Sequence, residues 1–131
     1  TQQRVIRWVY AQDRRLFERR AQARIPLQLR AVCRRVAPDG EPVEEFTAST
    51  VDVALDGVRI RTDRLLPEGA TVDVTIDFAD ELPPFAARTS AAAAEPRDER
   101  MHYLLQLVDA GPAMRRSLIE RALAAERRIR S

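Results

Sequence analysis

Along most of this chain the apolar residues fall at every second position, and only toward the two ends does the spacing open to three or four. From Ile25 the alternation is plain: Ile25, Leu27, Leu29, Ala31 and Cys33 share one face, with Gln28, Arg30 and Arg34 on the other. That pattern predicts a half-buried strand. Residues 37–43, with Pro38, Asp39, Gly40 and Pro42, read as a turn. A second strand follows at about residues 46–54. Asp56-Gly57 then reads as a tight-turn dipeptide into a third, where Val58 and Ile60 alternate with Arg59 and Arg61. After Pro67-Glu68-Gly69, residues Val72, Val74, Ile76 and Phe78 alternate with Thr71, Asp73, Thr75 and Asp77, the cleanest strand of all. Residues 85–95 are alanine-rich and suit a helix on propensity alone. Pro96-Arg97-Asp98, however, looks like a hairpin turn into the strong strand Met101–Val108, so a strand is predicted there too.

The ends read differently. Val5, Ile6, Trp8, Val9, Leu16 and Phe17 recur at roughly helical spacing without Pro or Gly, which predicts a helix over residues 4–19. Gly111-Pro112 opens a second helix, with Met114, Leu118, Ala122 and Ile129, joined by Ile119 and Leu123, as its apolar stripe. The expected fold is mainly β with flanking helices: a six-stranded antiparallel barrel with an N-terminal helix and a C-terminal helix, one of them covering an opening or edge. The expected division is a connector helix at 1–18, the barrel with its arginine-rich loop at 19–110, and a helix packed on the barrel at 111–131.

Length and composition fit this picture. The 131 residues, 45% hydrophobic, suffice for one core. No apolar run approaches the roughly 18 residues of a membrane span, and no signal-peptide pattern opens the chain. The lone Cys33 excludes an internal disulfide, sits on the inward face, and points to a reducing cytoplasmic setting. A first residue other than Met suggests a processed chain or a piece of a longer protein, including the cytoplasmic portion of a membrane protein. All 22 basic residues are arginine, in keeping with the codon bias of a GC-rich bacterial genome.

The net charge of +2 conceals an asymmetry. Residues 1–35 hold ten arginines and two acids, residues 36–99 five arginines and fifteen acids, and residues 100–131 seven arginines and three acids. The basic ends either neutralise the acidic middle or face an anionic ligand. Catalytic chemistry is short of parts. His102 is the only histidine and Cys33 the only thiol, no glycine-rich phosphate loop is present, and the acids lie on turns and outward strand positions. Neither an enzyme nor a metal site is expected, and His102 reads as a solvated ring at a strand start.

What remains is a pair of polar clusters. Arg20-x-x-x-Arg24, with Arg19 alongside, stands where the charged segment gives way to the first strand, and Asp52-x-Ala54-x-x-Gly57 follows about 28 residues later. Arginine forks suit phosphates and guanine edges. In this order and strand context, with "RIPLQLRAV" and "TVDVALDGVRIRT" around them, the two clusters resemble the RxxxR and [D/N]xSxxG motifs of the PilZ domain family, over about residues 18–125.

The resemblance implies a receptor for cyclic di-GMP, a bacterial second messenger, with no cofactor. Arg20 and Arg24 would grip phosphates and guanine edges, Asp52 would accept from a guanine's N1–H and amino group, and Gly57 would hold the turn that shapes the pocket floor. Arg19 matches members that bind two stacked ligands. Ala54 stands where the family has serine and lacks one hydroxyl, a difference of roughly 0.5–1.5 kcal/mol. The arginine-bearing loop would fold across the ligand and reorient the N-terminal helix against a protein partner or an attached effector domain, such as a membrane-bound synthase. Regulation of exopolysaccharide synthesis or motility is the implied output, and a homodimer is compatible with it. Two rivals stay open: a PilZ fold serving as an adaptor without the nucleotide, and a small nucleic-acid-binding barrel. The pI near 9.3 favours the second, but the acidic strands and the lack of an aromatic stacking platform oppose it, so no nucleic-acid partner is expected.

Overall fold

A computed structural model of the chain describes residues 24–78 and 83–129, with the backbone of residue 130. Seven strands and one helix follow in order: β1 Ile25–Pro26, β2 Arg30–Val36, β3 Pro42–Ala54, β4 Gly57–Thr62, β5 Thr71–Ile76, β6 Phe85–Arg97, β7 Arg100–Leu107 and α1 Pro112–Arg130. The expected helix at 4–19 lies outside the described residues.

Every strand pairing is antiparallel, in the order β1-β3-β2-β5-β6-β7-β4 with an additional β3–β4 pairing. That last pairing closes six strands into a barrel, and β1 is a short addition to β3. The inward positions are those that the period-two pattern marks: Ala31, Cys33, Val53, Val58, Ile60, Val72, Val74, Ile76 and Leu105 are all buried. Burial pushes the Cys33 thiol up to about 12, which leaves it a neutral core group. Tyr103 is buried among them, yet its hydroxyl is satisfied: it donates to Arg64 O and accepts from Leu66 N, both at 2.8 Å.

Several boundaries differ from expectation, each for a physical reason. The predicted strand from Ile25 is broken at residues 27–29, although its alternation survives. There β3 changes partner from β2 to β1, and a bulge at Val51 shifts its register against β4. Thr50 secures the break. Its hydroxyl donates to Leu27 O at 2.5 Å and accepts from Leu29 N at 2.8 Å, while its own N–H donates to Leu29 O. Thr50→Val keeps the shape but removes both side-chain bonds. It is expected to lower the unfolding free energy by about 1–3 kcal/mol, readable as a reduced urea midpoint at unchanged slope.

The alanine-rich stretch is a strand, because Phe85, Thr89 and Ala91 face inward and Thr89 donates to Val72 O at 2.8 Å. Its hairpin turns at Asp98-Glu99, beyond Pro96. Both residues have positive φ, 53° and 65°, the mirror-image turn that suits strand twist. Pro96 is instead a strand residue opposite Met101. His102 is the third residue of β7 and is half-buried.

On α1 the buried stripe is Leu118, Ala122 and Ala125; Met114, Leu123 and Ile129, assigned to the stripe from spacing, are exposed. Arginines tie the helix to the loops it crosses. Arg115 donates to Leu55 O at 2.8 Å and to Ala110 O at 3.2 Å, Arg128 to Phe78 O at 2.7 Å, and Arg121 to Pro83 O.

Candidate functional site

The pairing of β1 with β3 sets Ile25 opposite Val53 and Pro26 opposite Asp52. Ile25 and Val53 point into the core. By alternation Arg24 and Pro26 lie on the outer side with Asp52 and Ala54. The consequence is a contact between groups 28 residues apart: Arg24 Nε donates to Asp52 Oδ1 at 2.6 Å. Arg24 Nη1 reaches Asp56 Oδ1 at 3.5 Å, and Arg59 Nη1 stands 3.5 Å from Asp52 Oδ2. The pair is sheltered, with side-chain exposures of 25% for Arg24 and 13% for Asp52. Yet Arg24 Nη2 is buried without any hydrogen-bond partner. The site therefore offers a carboxylate with one loosely held oxygen beside an unfilled guanidinium N–H. That combination can accept from a donor pair such as a guanine's N1–H and amino group and donate to an acceptor next to it.

The turn between β3 and β4 is Leu55-Asp56, with Ala54 opposite Gly57. It is gripped from two sides: Leu107 N donates to Asp56 O at 2.9 Å, and Arg115 of α1 holds Leu55 O. Gly57 opens β4 with φ +153°, and its missing Cβ is what allows the backbone of β7 to lie against it. Ala54 is 1% exposed.

Of the six residues singled out from sequence, Arg24, Asp52, Ala54 and Gly57 are thus brought to one corner of the barrel; Arg19 and Arg20 lie outside the described residues. Arg59, Asp56 and Arg115 join that corner without having been assigned to it. A signal for Arg59 existed, since counting back from a two-residue hairpin identifies the partner of Asp52. Reading the turn as Asp56-Gly57 instead of Leu55-Asp56 moves that partner to Arg61. Arg115 reaches the site across 60 residues through the placement of α1, which strand periodicity does not encode. Among the described residues, no group of three or more His, Cys, Asp or Glu is placed to hold a metal ion, and no helix is long and apolar enough to cross a membrane.

A closed six-stranded barrel with a helix tied to its β3–β4 hairpin, and a sheltered Arg–Asp pair on its outer face, defines the class of the module. The sequence model of the family described as PilZ domain matches residues 13–125, and the chain belongs to that family. Among solved structures it is similar to the PilZ domain with c-di-GMP of YcgR from Escherichia coli. That likeness has 18% identity and a TM-score of 0.65, covering 86% of this chain and 95% of that one. It is also similar to the PilZ domain of CeSA from a cellulose-synthesizing bacterium (16% identity, TM-score 0.57, covering 80% and 99%). A third likeness is to the inhibitor of motility MotI/DgrA of Bacillus subtilis (15% identity, TM-score 0.63, covering 86% and 54%). At these identities the likeness is one of fold. No curated protein sequence matches the chain.

Proposed function

We propose that this chain is a regulatory module that binds cyclic di-GMP on the outer face of its barrel and passes the signal to an attached domain or partner. One observation carries the reading: Arg24 and Asp52 meet at 2.6 Å beside a buried, unfilled guanidinium N–H. A guanine has the donor pair that suits Asp52, and its O6 and N7, or a phosphate oxygen, suit the free N–H of Arg24. Arg20 grips a phosphate from the preceding segment, and Arg19 stacks on a base when two ligands bind. Gly57 keeps the Asp52 hairpin close to β7, so its role is to position the carboxylate. The hydroxyl that Ala54 lacks lowers affinity by about tenfold at most. A module of this kind supplies no catalytic step and acts in the cytoplasm. Control of exopolysaccharide synthesis or of motility is the output we favour, since the similar structures include a cellulose-related domain and a motility inhibitor.

Calorimetric titration with cyclic di-GMP, beside GTP and a short single-stranded DNA, tests the reading. Micromolar or tighter binding of the dinucleotide alone is expected, with Arg24→Ala weakening it by at least about tenfold through loss of a charge-assisted bond. Binding to DNA alone with a steep salt dependence, or to none of the three, would overturn it.

A further inference from the structure

Only two buried side-chain polar atoms among the described residues lack a hydrogen-bond partner: Arg24 Nη2 and Arg61 Nε. The first belongs to the site above. The second does not, and its surroundings are specific. In the strand registers Arg30 lies opposite Ser49, Ser49 opposite Arg61, and Arg61 opposite His102. Directly opposed residues of antiparallel strands share a face, so these four form one row across the outside of the barrel. On β4 this row is two residues from Arg59, about 7 Å along the strand from the Asp52 site.

Two grooves meet at Arg61. One, of about 510 Å³, runs between the Leu27-Gln28 break and the C-terminal part of α1, with His102 on its wall. The other, of about 470 Å³, is lined by Arg30, Arg61 and Arg100 together with the hydroxyl-bearing Thr47 and Ser49. Both are in the size range of small-ligand sites. The arginines here differ from those elsewhere on the barrel. Arg24, Arg34, Arg35, Arg59, Arg64, Arg88 and Arg97 all stand in ion pairs, whereas no ion pair among the described residues uses Arg30, Arg61 or Arg100. Among the described residues none of the nearby acids, Glu126 of the first groove included, forms an ion pair with them. Glu95, opposite His102, is held by Arg97 at 2.9 Å, and Asp63 stands 4.0 Å from Arg64.

Three uncommitted guanidiniums, one with a buried N–H lacking an acceptor, beside two hydroxyls, form the donor set of a phosphate. A nucleobase would call for planar acceptors at its edge as well, and among the side chains of this groove only Asp63 and the amide of Gln28 carry such a group, the other acceptors being single hydroxyls. We infer that Arg61, with Arg30 and Arg100, forms a second anion subsite on the barrel's outer face that takes a phosphate group. The phosphate comes either from a second cyclic dinucleotide lying beside the first or from a separate phosphorylated molecule. The subsite goes beyond the Asp52 reading and does not depend on it.

The test is titration of the full chain with inorganic pyrophosphate and, separately, with cyclic di-GMP. The same titrations are made on Arg61→Gln and on Arg116→Gln, the latter removing an exposed arginine of α1 that lines neither groove. Pyrophosphate binding that Arg61→Gln weakens on the order of tenfold, and Arg116→Gln leaves alone, is expected at unchanged melting temperatures. A drop from two cyclic di-GMP molecules per chain to one in Arg61→Gln assigns the phosphate to a second dinucleotide; unchanged dinucleotide stoichiometry assigns it to a separate molecule. Absence of pyrophosphate binding, or equal weakening by both variants, overturns the subsite. Pyrophosphate binding by a protein indifferent to cyclic di-GMP upholds the subsite and removes the function proposed above.

Discussion

Gly57→Ala is expected to destabilise the protein by about 3 kcal/mol or more, a large part of the stability of a small domain. A Cβ at this position would overlap the Leu105 carbonyl oxygen and stand 3.1 Å from Gln106 Cα. Both are backbone atoms of β7, so no side chain can rotate aside. The β4–β7 ladder would have to open where Gly57 faces Gln106, and with it the bond from Leu107 N to Asp56 O. The φ of +153° adds strain for any L side chain. The other glycines make the comparison. Gly40 and Gly69 also have positive φ but meet nothing within 4 Å, so alanine there costs only conformational strain, about 1 kcal/mol. Urea unfolding of the three variants should separate Gly57 clearly; equal midpoints would mean that β4 and β7 are not held as described.

Asp52→Ala is expected to weaken cyclic di-GMP binding by about a hundredfold or more, because two charge-assisted bonds to the guanine edge are lost together. It also acts on the free protein. Arg24 and Arg59 both look to this carboxylate, and without it two guanidiniums face each other with no anion between them. Loss of a sheltered, hydrogen-bonded partner of this kind costs about 2 kcal/mol. The melting temperature should therefore fall by several degrees alongside the affinity. Combining Asp52→Ala with Arg24→Ala should destabilise less than the sum of the two single changes, since the bond between the two residues is lost only once. Calorimetric titration and thermal unfolding measure the two effects separately. Near-normal affinity in Asp52→Ala would move the ligand off this hairpin.

The barrel was legible because its inward residues obey period two almost without interruption, from Ala31 and Cys33 to Leu105. Even the alanine-rich segment was legible as a strand from the turn residues that join it to Met101–Val108, and the structure shows Phe85, Thr89 and Ala91 on its inward face. Less legible were features where one residue changes the register. The bulge at Val51 moves a partner by one position, and placing the hairpin at Asp56-Gly57 instead of Leu55-Asp56 moves it by two, which exchanges Arg59 for Arg61 opposite Asp52. The two-residue β1 is too short for any periodicity to mark, although it is what carries Arg24 to Asp52. On α1 the spacing of apolar residues named Leu118 and Ala122, which are buried, but also Met114, Leu123 and Ile129, which are exposed, and it passed over Ala125, which the placement of the helix on the barrel buries. Motif residues were visible in the chain; the groups that hold and surround them depended on docking.

The bond between Arg24 and Asp52 gives the unliganded protein a threshold. In the proposed complex a guanine edge seats on both oxygens of Asp52, and wherever it needs the Oδ1 lone pair that faces Arg24 Nε, that bond must first be released. The apparent affinity is then the intrinsic one multiplied by the fraction of molecules in which that release has occurred. Every 1.4 kcal/mol by which the closed pair is favoured raises the ligand concentration for half-occupancy tenfold. Weakening Arg24's grip on the carboxylate, without altering any group that touches the nucleotide, would make such a receptor respond at lower levels of its messenger. The set-point would lie in a contact internal to the protein.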